Sequence, residues 1–571
     1  MTNKLQRLEL TWPGKEDRFN PEPRILLEDK EKSYSKPVKQ AELGESAVKP
    51  TYNNMLIHGD NLLALKALEQ DYTGKVKCIY IDPPYNTGNA FEHYDDGLEH
   101  SIWLSLMRDR LEILKRLLAE DGNIFIQIND DEYPYLKIIC DEVFGRNNYE
   151  TTFYVKVRHE NRILREDTRY QLVIEQILLY RKSNLFVAPR REKTRDTNAD
   201  YVWNIEITGK PFSKEIIHGY MVELYKADCY NITKSDNGNL KQYQIRGSLI
   251  TQKGSASEYY EQNLRKRRGL DGLGCLYKVI GMGTNGDGLG YRYIMQPTKA
   301  DSKNGFYFQG KPKKATKDKG LPYPNFYDCV DIFNNAGYEG GVEFRNGKKP
   351  EEWIRFLLSL TTNPGDLVLD SFLGSGTTAA VAQKMGRRWI GVEMGDHVYT
   401  HCIPRLHKVI DGEDQGGITK AVNWQGGGGF KFYELASSLI VKDKYGQQII
   451  SDKYNADMLA EAMCKILGYR YKPDEEKYWK QGYSSEKSFI YTTTMSMQEE
   501  SLGKLAAEVG DDNLLICCSA FIGNKAAYPN ITVKKIPSAI LKKCEWGREG
   551  YPLNLKDYKP ADEEFEFEEK E

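Results

Sequence analysis

Short apolar runs alternate with helical patterns along the first third of the chain. Each run that predicts a strand ends at a polar or turn residue, and between the runs apolar residues recur at helical spacing. In chain order the predicted elements are strand 55–58, a helix beginning near 61, strand 76–81, helix 100–119, strand 124–128 and helix 132–143. Strands and helices that alternate through short loops predict an α/β domain with a parallel sheet, which the apolar run 177–180 also joins.

The same pattern resumes near residue 351, after a long interruption. The predicted order there is helix 351–360, strand 367–370, a glycine-rich turn that opens a helix over 374–386, strand 389–393, and a helix that ends near 410. Between the two halves, residues 185–335 are rich in Gly, Asn, Lys and Tyr and lack long periodic helices. We therefore expect one Rossmann-like α/β sheet that is split in sequence by an inserted, loop-rich domain.

The flanking segments have weaker patterns. Residues 1–50 are polar and without sustained periodicity, which predicts a weakly structured arm. The glycine run 426–429 predicts a hinge or flexible loop, followed by a mixed α/β region that ends in an acidic tail. The predicted division is an arm (1–50), one half of the α/β domain (51–184), the insert (185–335), the second half (336–425) and a C-terminal domain (430–571).

Regional charge changes the interpretation of a nearly neutral total. The 571 residues carry a formal charge of −2, which by itself argues against a nucleic-acid partner. Counted by region, residues 151–330 carry about +12 and the last eleven residues carry −6. The insert therefore has the positive charge that phosphate contacts need.

Other features of composition exclude several classes of protein. No apolar stretch approaches the ~18 residues of a membrane span, and the first residues lack the apolar segment of a secretory signal. The ten cysteines show no C-x-x-C pair and no zinc-ligand spacing. We expect a cytoplasmic protein with reduced thiols, no membrane association and no metal site.

A glycine-rich turn follows the predicted strand 367–370. It contains Asp370, Phe372, Gly374, Ser375, Gly376, Thr377 and Thr378. Glycines let a ligand approach the backbone, and the helix that begins at Thr377 favours an anionic group. Glu393 ends the next strand, where an acid can hold a ribose. Together these residues predict a site for an adenosine-containing cofactor; the alternative is a tight turn without a ligand.

A second signal ends the strand 76–81, as Asp82-Pro83-Pro84-Tyr85. The prolines stiffen the turn and remove backbone donors, so carbonyl oxygens such as that of Pro83 can accept hydrogen bonds. Asp82 adds an acceptor and Tyr85 adds a flat ring. An exocyclic amine on an aromatic base needs these groups: two acceptors for its N–H groups and a ring for stacking. The alternative is an Asp-capped, proline-stiffened turn without chemistry.

Together these motifs resemble the β group of DNA methyltransferases, which methylate an exocyclic amine with S-adenosyl-L-methionine. The D-P-P-Y motif precedes F-x-G-x-G (Phe372 to Gly376), with a large insert between them. D-P-P-Y is similar to adenine-N6 rather than cytosine-N4 enzymes. The length, the residues after Tyr85 and the stretch 104–128 resemble the modification (Mod) subunit of type III restriction–modification systems. Ser371 departs from the usual proline of the family.

The resemblance assigns roles to individual residues. Asp82, Pro83, Pro84 and Tyr85 would hold the target adenine. Asp370 and the 372–376 turn would bind the methionine part of the cofactor, Thr377 and Thr378 its carboxylate, and Glu393 its ribose. Asp60 would lie near its adenine, and Asn61 would also contact the cofactor. Lys349 resembles part of a further cofactor motif, or is a solvated lysine. Arg265, Lys266, Arg267 and Arg268 in the insert are candidate contacts to DNA phosphates, or a solvated basic face.

The resemblance also implies partners and leaves alternatives open. The expected substrate is double-stranded DNA, from which the adenine is flipped out before methyl transfer. A homodimer and a helicase–nuclease restriction subunit are the implied partners. The alternatives are a solitary DNA adenine methyltransferase, a non-catalytic DNA-binding module with this fold, and methylation of a protein glutamine or an RNA base.

Overall fold

The computed structural model describes residues 9–37, 48–86, 100–160, 170–191, 200–235, 237–245, 255–284, 286–311, 320–344, 347–524 and 526–548. The chain divides into two compact units. The first combines residues 1–189 with residues 324–571, and the second contains residues 190–323. The second unit lies within the expected insert, whereas the acidic tail lies outside the described residues.

A central sheet organises the first unit. Within the described residues it has ten strands, numbered along the whole chain as β1 (Leu26–Lys36), β2 (Asn54–His58), β3 (Val76–Ile81), β4 (Leu118–Ile128), β5 (Tyr149–Lys156), β6 (Ile174–Arg181), β15 (Phe326–Asp328), β16 (Leu367–Asp370), β17 (Arg388–Glu393) and β18 (Gly428–Leu435). Their spatial order is β1-β18-β2-β17-β16-β3-β4-β6-β5-β15.

Six neighbouring strands, from β18 to β4, run parallel. Every residue of β16 is buried, as expected for a parallel strand that is covered on both faces. The predicted run 177–180 joins the sheet in β6, but antiparallel to β4. The fold is therefore the expected Rossmann-like α/β sheet, with antiparallel strands added at its edges.

Helices of the first unit connect these strands, and two more follow the last of them in the C-terminal region. Their bounds are α1 (Asn61–Tyr72), α2 (His100–Leu117), α3 (Tyr133–Cys140), α6 (Val330–Asn334), α7 (Glu351–Thr361), α8 (Thr377–Lys384), α9 (Ile403–Asp411), α10 (Ala456–Leu467) and α11 (Glu499–Val509). Short π- or 3-10-helical turns stand at Asp141–Gly145, Arg146–Asn148, Ala336–Gly341 and Val398–Cys402. The predicted helix bounds agree to within a few residues because apolar periodicity marks the buried face.

The direction of chain connection reverses between β3 and β16. From β3 the chain passes through α2 to β4 on one side, and from β16 it passes through α8 to β17 on the other. In open α/β sheets, ligands bind in the crevice outside the carboxyl ends of the strands at such a reversal. Asp82 follows β3 and Asp370 ends β16, so both lie at this point.

The prediction of a weakly structured arm over 1–50 is wrong for residues 9–37. Strand β1 pairs antiparallel with β18, Ile25 is fully buried, and Trp12 packs into the main core of the first unit. The strand is rich in Lys, Glu and Ser because an edge strand is held through its backbone while many of its side chains meet solvent. Hydrophobic periodicity therefore could not reveal it.

The prediction of a hinge at 426–429 is also wrong. Gly428 and Gly429 begin β18, and Gly426 has a φ of 91°. A Cβ at Gly426 would lie 3.0 Å from the backbone nitrogen of Gly412. The glycines therefore let the chain turn closely past the end of α9 and enter the central sheet.

The second unit contains a sheet whose strands all pair antiparallel. Within the described residues its strands are β7 (Trp203–Ile207), β8 (Ser213–Ile217), β9 (Tyr220–Tyr225), β10 (Tyr230–Lys234), β11 (Leu240–Gln244), β12 (Leu276–Ile280), β13 (Tyr291–Met295) and β14 (Phe306–Gly310). Their order is β10-β7-β11-β14-β13-β12-β9-β8. Helices α4 (Ala256–Tyr259) and α5 (Arg268–Asp271) and the helical turns Tyr260–Leu264 and Arg265–Arg267 complete it.

The C-terminal region is mixed α/β, as predicted. Its described strands are β19 (Ile440–Lys442), β20 (Gln448–Ile450), β21 (Arg470–Tyr471), β22 (Gly482–Ser485), β23 (Ser488–Thr492), β24 (Ser496–Gln498), β25 (Asn513–Cys518), β26 (Ala520–Ile522) and β27 (Ile531–Lys535). Its main sheet has the order β21-β22-β23-β25-β27. Helices α10 and α11 belong to this region and bury apolar faces.

The ten cysteines are unpaired thiols, and eight of them are buried. Over the residues that the structure describes, no group of His, Cys, Asp and Glu is arranged to hold a metal ion. No helix in those same residues combines the length and the apolar character needed to cross a membrane.

Candidate active site

Asp82 stands at the carboxyl end of β3 and meets a buried lysine. Lys349 Nζ donates to Asp82 Oδ2 at 2.7 Å, and 8% of the Lys349 side chain is exposed. The other carboxylate oxygen, Asp82 Oδ1, is buried and has no hydrogen-bond partner among the described residues. The carboxylate therefore does not cap its own turn, and it keeps one acceptor available. The alternative of a solvated Lys349 is wrong.

The carbonyl groups of the two prolines in this turn have different surroundings. Trp103 Nε1 on α2 donates to the Pro84 carbonyl at 2.9 Å, which anchors the turn. No donor in the described part of the chain reaches the Pro83 carbonyl. Pro83 therefore retains the acceptor that the sequence predicts.

Tyr85 is held at its hydroxyl by a residue that the sequence did not single out. Tyr85 Oη donates to Glu175 Oε2 on β6 at 2.8 Å. Lys349 Nζ lies 5.0 Å from the centre of the Tyr85 ring and 3.9 Å from Glu175 Oε2. One ammonium group thus lies between two carboxylates and the aromatic ring.

Burial and charge shift the ionisation of these groups. Burial raises the pKa of Asp82, and Glu175 adds to this effect while Lys349 opposes it. Burial disfavours the charge of Lys349, but the Asp82 and Glu175 carboxylates outweigh it and raise the Lys349 pKa. Burial, Asp82 and Glu175 together raise the pKa of Tyr85 well above its ordinary value, so its hydroxyl stays a donor.

The turn after Tyr85 is attached to the start of α3. Asn86 has a φ of 58°, and its Nδ2 donates to Glu132 Oε1 at 2.7 Å. His100 Nδ1 at the start of α2 lies 3.0 Å from the same oxygen. Glu132 is buried, and burial raises its pKa. This carboxylate thus binds both the end of the D-P-P-Y turn and the first residue of α2.

The glycine-rich turn begins with a buried carboxylate. Asp370 Oδ1 accepts from the Phe372 N–H at 3.0 Å. Burial raises the Asp370 pKa to about 7, against hydrogen bonds from the Thr378 side chain and the Phe372 backbone. Gly374 and Gly376 have φ values of 57° and 82°, which glycine adopts without strain. The turn has the backbone conformation that its glycines predict.

Residues 375–378 rest on a buried arginine. Arg405 of α9 donates to Thr377 Oγ1 at 2.7 Å, and Ser375 Oγ lies 3.2 Å from that same oxygen. Arg405 also pairs with Glu351 Oε1 at 2.8 Å. The Thr377 side chain is thus directed into the protein, which leaves the backbone N–H groups of the first turn of α8 to face a ligand.

Glu393 is already engaged by backbone donors. Its Oε2 accepts from the Gly374 N–H at 2.7 Å, and its Oε1 accepts from the Met394 and Gly395 N–H groups at 2.9 Å each. Glu393 therefore joins the end of β17 to the glycine-rich turn. A ribose hydroxyl would have to share Oε2 with Gly374.

Asp60 and Asn61 have structural contacts of their own. Asp60 Oδ1 caps α1 by accepting from the Leu63 N–H at 3.0 Å, and its Oδ2 lies 3.5 Å from Arg110 Nη2. Asn61 accepts from Arg110 Nε and donates to the Ser371 carbonyl at 2.7 Å. The pair thus supports the glycine-rich turn from the side of α1.

The sequence did not identify four residues that hold this site: Glu175, Glu132, Arg405 and Glu351. Each is a charged residue within or beside an apolar run of a strand or helix. The sequence could have indicated them only because each places a charge where the apolar pattern predicts a buried position. Such a position predicts a buried polar contact but does not indicate its partner.

The four basic residues of the second unit differ in their surroundings. Arg265 pairs with Glu261 at 2.7 Å, Arg267 pairs with Asp271 at 2.8 Å and Glu215 at 3.0 Å, and Arg268 donates to three backbone carbonyls. Lys266 is exposed. Three of the four thus have structural contacts, and Lys266 extends into solvent.

Comparisons with known proteins find a matching family model and similar sequences. A family model described as DNA methylase, for N6/N4 methyltransferases, matches residues 76–403. The probable type III restriction-modification enzyme HindVI Mod subunit of Haemophilus influenzae is 36% identical over 459 residues, which cover 74% of this chain and 59% of that protein. The DNA adenine methyltransferase YhdJ of Escherichia coli is 42% identical over 356 residues, covering 62% of this chain and 82% of that protein.

A solved structure is also similar. It is a putative DNA modification methylase from Thermus thermophilus in complex with S-adenosyl-L-methionine, 13% identical, with a TM-score of 0.30 over 67% of this chain and 98% of that one. The chain spans about three fifths of the length of the HindVI Mod subunit and about half of a second Mod subunit, StyLTI of Salmonella typhimurium.

Proposed function

Because the chain belongs to the DNA methylase family of N6/N4 methyltransferases, we propose that it transfers a methyl group from S-adenosyl-L-methionine to the N6 amine of an adenine in duplex DNA. The observation that carries this proposal is the buried Asp82 Oδ1, which lacks a donor among the described residues. An unpaired buried acceptor is costly unless a ligand satisfies it. An N–H of an exocyclic amine is such a ligand.

The surrounding groups suit an amine on a flat base. The Pro83 carbonyl is a second acceptor, and Tyr85 supplies a ring for stacking. The lone pair of an exocyclic amine is delocalised into its ring, and hydrogen bonds from both N–H groups to these acceptors favour the pyramidal form that can attack a methyl group. The base must leave the duplex to reach this crevice, and stacking on Tyr85 offsets part of that cost, by roughly 1–3 kcal/mol.

The glycine-rich turn fits the cofactor. Ser371 Oγ is buried without a partner in the described part of the chain, and the ammonium group would supply the counter-charge for the Asp370 carboxylate, which burial disfavours. The first turn of α8 suits the carboxylate, and Glu393 stands at the end of β17, where an acid can hold a ribose. When bound, S-adenosyl-L-methionine supplies an electrophilic methyl group on a sulfonium. Asp82 and Tyr85 hold the amine in line with it, where proximity lowers the barrier.

We further propose that the chain is the modification subunit of a type III restriction–modification system. Its similarity to the HindVI Mod subunit supports this. In this proposal residues 190–323 recognise DNA, the chain forms a homodimer in the cytoplasm, and a helicase–nuclease subunit is its partner. The alternative is a solitary DNA adenine methyltransferase without a nuclease partner. Co-purification of a helicase–nuclease subunit distinguishes the two.

The test is incubation of the full chain with labelled cofactor and plasmid DNA, followed by single-molecule sequencing for modified adenines. We expect N6-methyladenine at one short site, and none with Asp82→Ala or Tyr85→Ala, both of which should still bind duplex DNA. The matched controls are Asp71→Ala and Tyr445→Ala, whose side chains are exposed. Unaltered methylation in both site variants, or methyl groups found on cytosine, RNA or protein, would contradict the proposal.

A further inference from the structure

Glu175 lies near the start of β6, at the edge of the sheet that carries the candidate active site. Because β6 runs antiparallel to β4, its first residues come level with the last residues of β4, with Gln176 opposite Ile128 and Ile177 opposite Gln127. The Glu175 side chain is 12% exposed. An acid at the start of an otherwise apolar strand is thus enclosed beside the carboxyl ends of β3 and β4.

One oxygen of Glu175 receives two hydrogen bonds. Tyr85 Oη donates to Oε2 at 2.8 Å and Gln127 Nε2 donates to it at 2.6 Å. Gln127 is in turn oriented by Tyr80, whose Oη donates to Gln127 Oε1 at 2.7 Å. The resulting chain Tyr80–Gln127–Glu175–Tyr85 crosses β3, β4 and β6. Gln127 and Tyr80 are buried, so each bond is costly to break.

The backbone of Tyr85 is restrained independently. Two prolines precede it, and Trp103 binds the Pro84 carbonyl at 2.9 Å. The remaining freedom of the residue is rotation of its side chain. A hydrogen bond at the far end of the ring, to an acceptor that is itself held by Gln127, fixes the direction in which the side chain extends.

The structure assigns to Glu175 the role of a positioning residue for Tyr85. It holds the phenol ring at the position where a flipped base stacks, and it does so through the hydroxyl rather than by touching the base. This inference rests on the proposed function, because it concerns the ring that would receive the base. It adds a reason for tyrosine at position 85: the ring stacks, and the hydroxyl is the point by which the protein holds it.

The test is a double-mutant cycle between Glu175 and the Tyr85 hydroxyl. Glu175→Ala and Tyr85→Phe should each lower kcat about ten- to a hundredfold, as expected for loss of a hydrogen bond to a charged group. The double variant should be no slower than the slower single variant, because both changes remove the same bond. KM for S-adenosyl-L-methionine should stay within about twofold. The control is Glu150→Gln on β5, whose carboxylate pairs with Arg181 instead.

Two further variants separate positioning from folding. Glu175→Asp keeps the charge but shortens the side chain by one methylene, and it should lower kcat about as much as Glu175→Ala. Glu175→Gln keeps an oxygen acceptor at full length and should restore kcat to within a few-fold of wild type. As a readout independent of turnover, 2-aminopurine at the target position should show a fluorescence change on binding that differs from wild type with Glu175→Ala and Glu175→Asp, because stacking of the flipped base is altered.

Failure of the inference about Glu175 can be distinguished from failure of the proposed function. A wild-type chain that methylates no DNA contradicts the proposed function itself. If the wild type methylates adenine, the inference about Glu175 is overturned by any of three results. These are a Glu175→Asp variant as fast as wild type, a double variant whose losses multiply, or 2-aminopurine signals that match wild type in every variant.

Discussion

Glu351 offers the sharpest test of how this site is held together. It is the first residue of α7, is fully buried, and accepts from Arg405 at 2.8 Å, from Lys384 at 2.7 Å and from the Ile418 N–H at 3.1 Å. Arg405 and Lys384 are fully buried as well. Glu351→Ala therefore leaves two buried cations short of a counter-charge.

The expected cost follows from that geometry. Removing one partner of a buried ion pair destabilises by about 3–5 kcal/mol, because the remaining charge stays buried. Lys384 keeps Asp414 at 2.7 Å, whereas Arg405 loses its carboxylate. Total stabilities of domains are about 5–15 kcal/mol, so this is a large share. At about 2–4 °C per kcal/mol for a large domain, Tm should fall by roughly 6–20 °C.

The assay is thermal unfolding of the full chain at one scan rate, followed by titration of S-adenosyl-L-methionine at a temperature where both proteins are folded. Affinity should also fall, because Arg405 supports Thr377 of the glycine-rich turn. The matched control is Glu352→Ala, the next residue of α7, whose side chain is 43% exposed and pairs with Arg355. The control should change stability by less than about 1 kcal/mol. Equal Tm losses in the two variants would refute the reasoning.

Three further outcomes follow from single residues. Folded Asp370 keeps its proton to about pH 7, whereas an unfolded aspartate releases its proton at about pH 3.9. As pH rises between those values, the free energy of unfolding of wild type should therefore fall by up to about 4 kcal/mol relative to that of Asp370→Asn. A difference in Tm between the two proteins that is constant with pH would contradict this. Trp12 is 7% exposed and donates to Ser105 Oγ at 2.8 Å, so Trp12→Ala should cost about 3–5 kcal/mol in chemical denaturation; a neutral effect would mean that the N-terminal segment is dispensable. Lys266 is exposed, and Lys266→Ala should reduce the slope of log affinity for DNA against log salt concentration by about 1. Arg267→Ala breaks pairs with Asp271 and Glu215 and should instead mainly lower the stability of residues 190–323. Equal slopes for wild type and Lys266→Ala would exclude a phosphate contact.

Local chemistry let the sequence predict most of the α/β sheet and both motifs. Strands such as Leu367–Asp370 and helices such as Glu351–Thr361 carry an apolar pattern that burial imposes. The D-P-P-Y and glycine-rich turns are local too, because prolines restrict φ and glycines permit the left-handed conformation within a few residues. These features depend on residues close in sequence and can be recognised without a partner.

Contacts between residues that are far apart in sequence could be determined only from the tertiary structure. Strand β1 is held by backbone bonds to β18, some 400 residues away, and its polar side chains give no sign of that pairing. The partners of Asp82 and Tyr85, Lys349 and Glu175, come from distant parts of the chain and meet only because β3, β6 and the start of α7 converge at one edge of the sheet. A charge in an apolar run predicts a buried contact, but only the fold determines which charge it meets, since a buried ion pair is set by distance in space and not by separation along the chain.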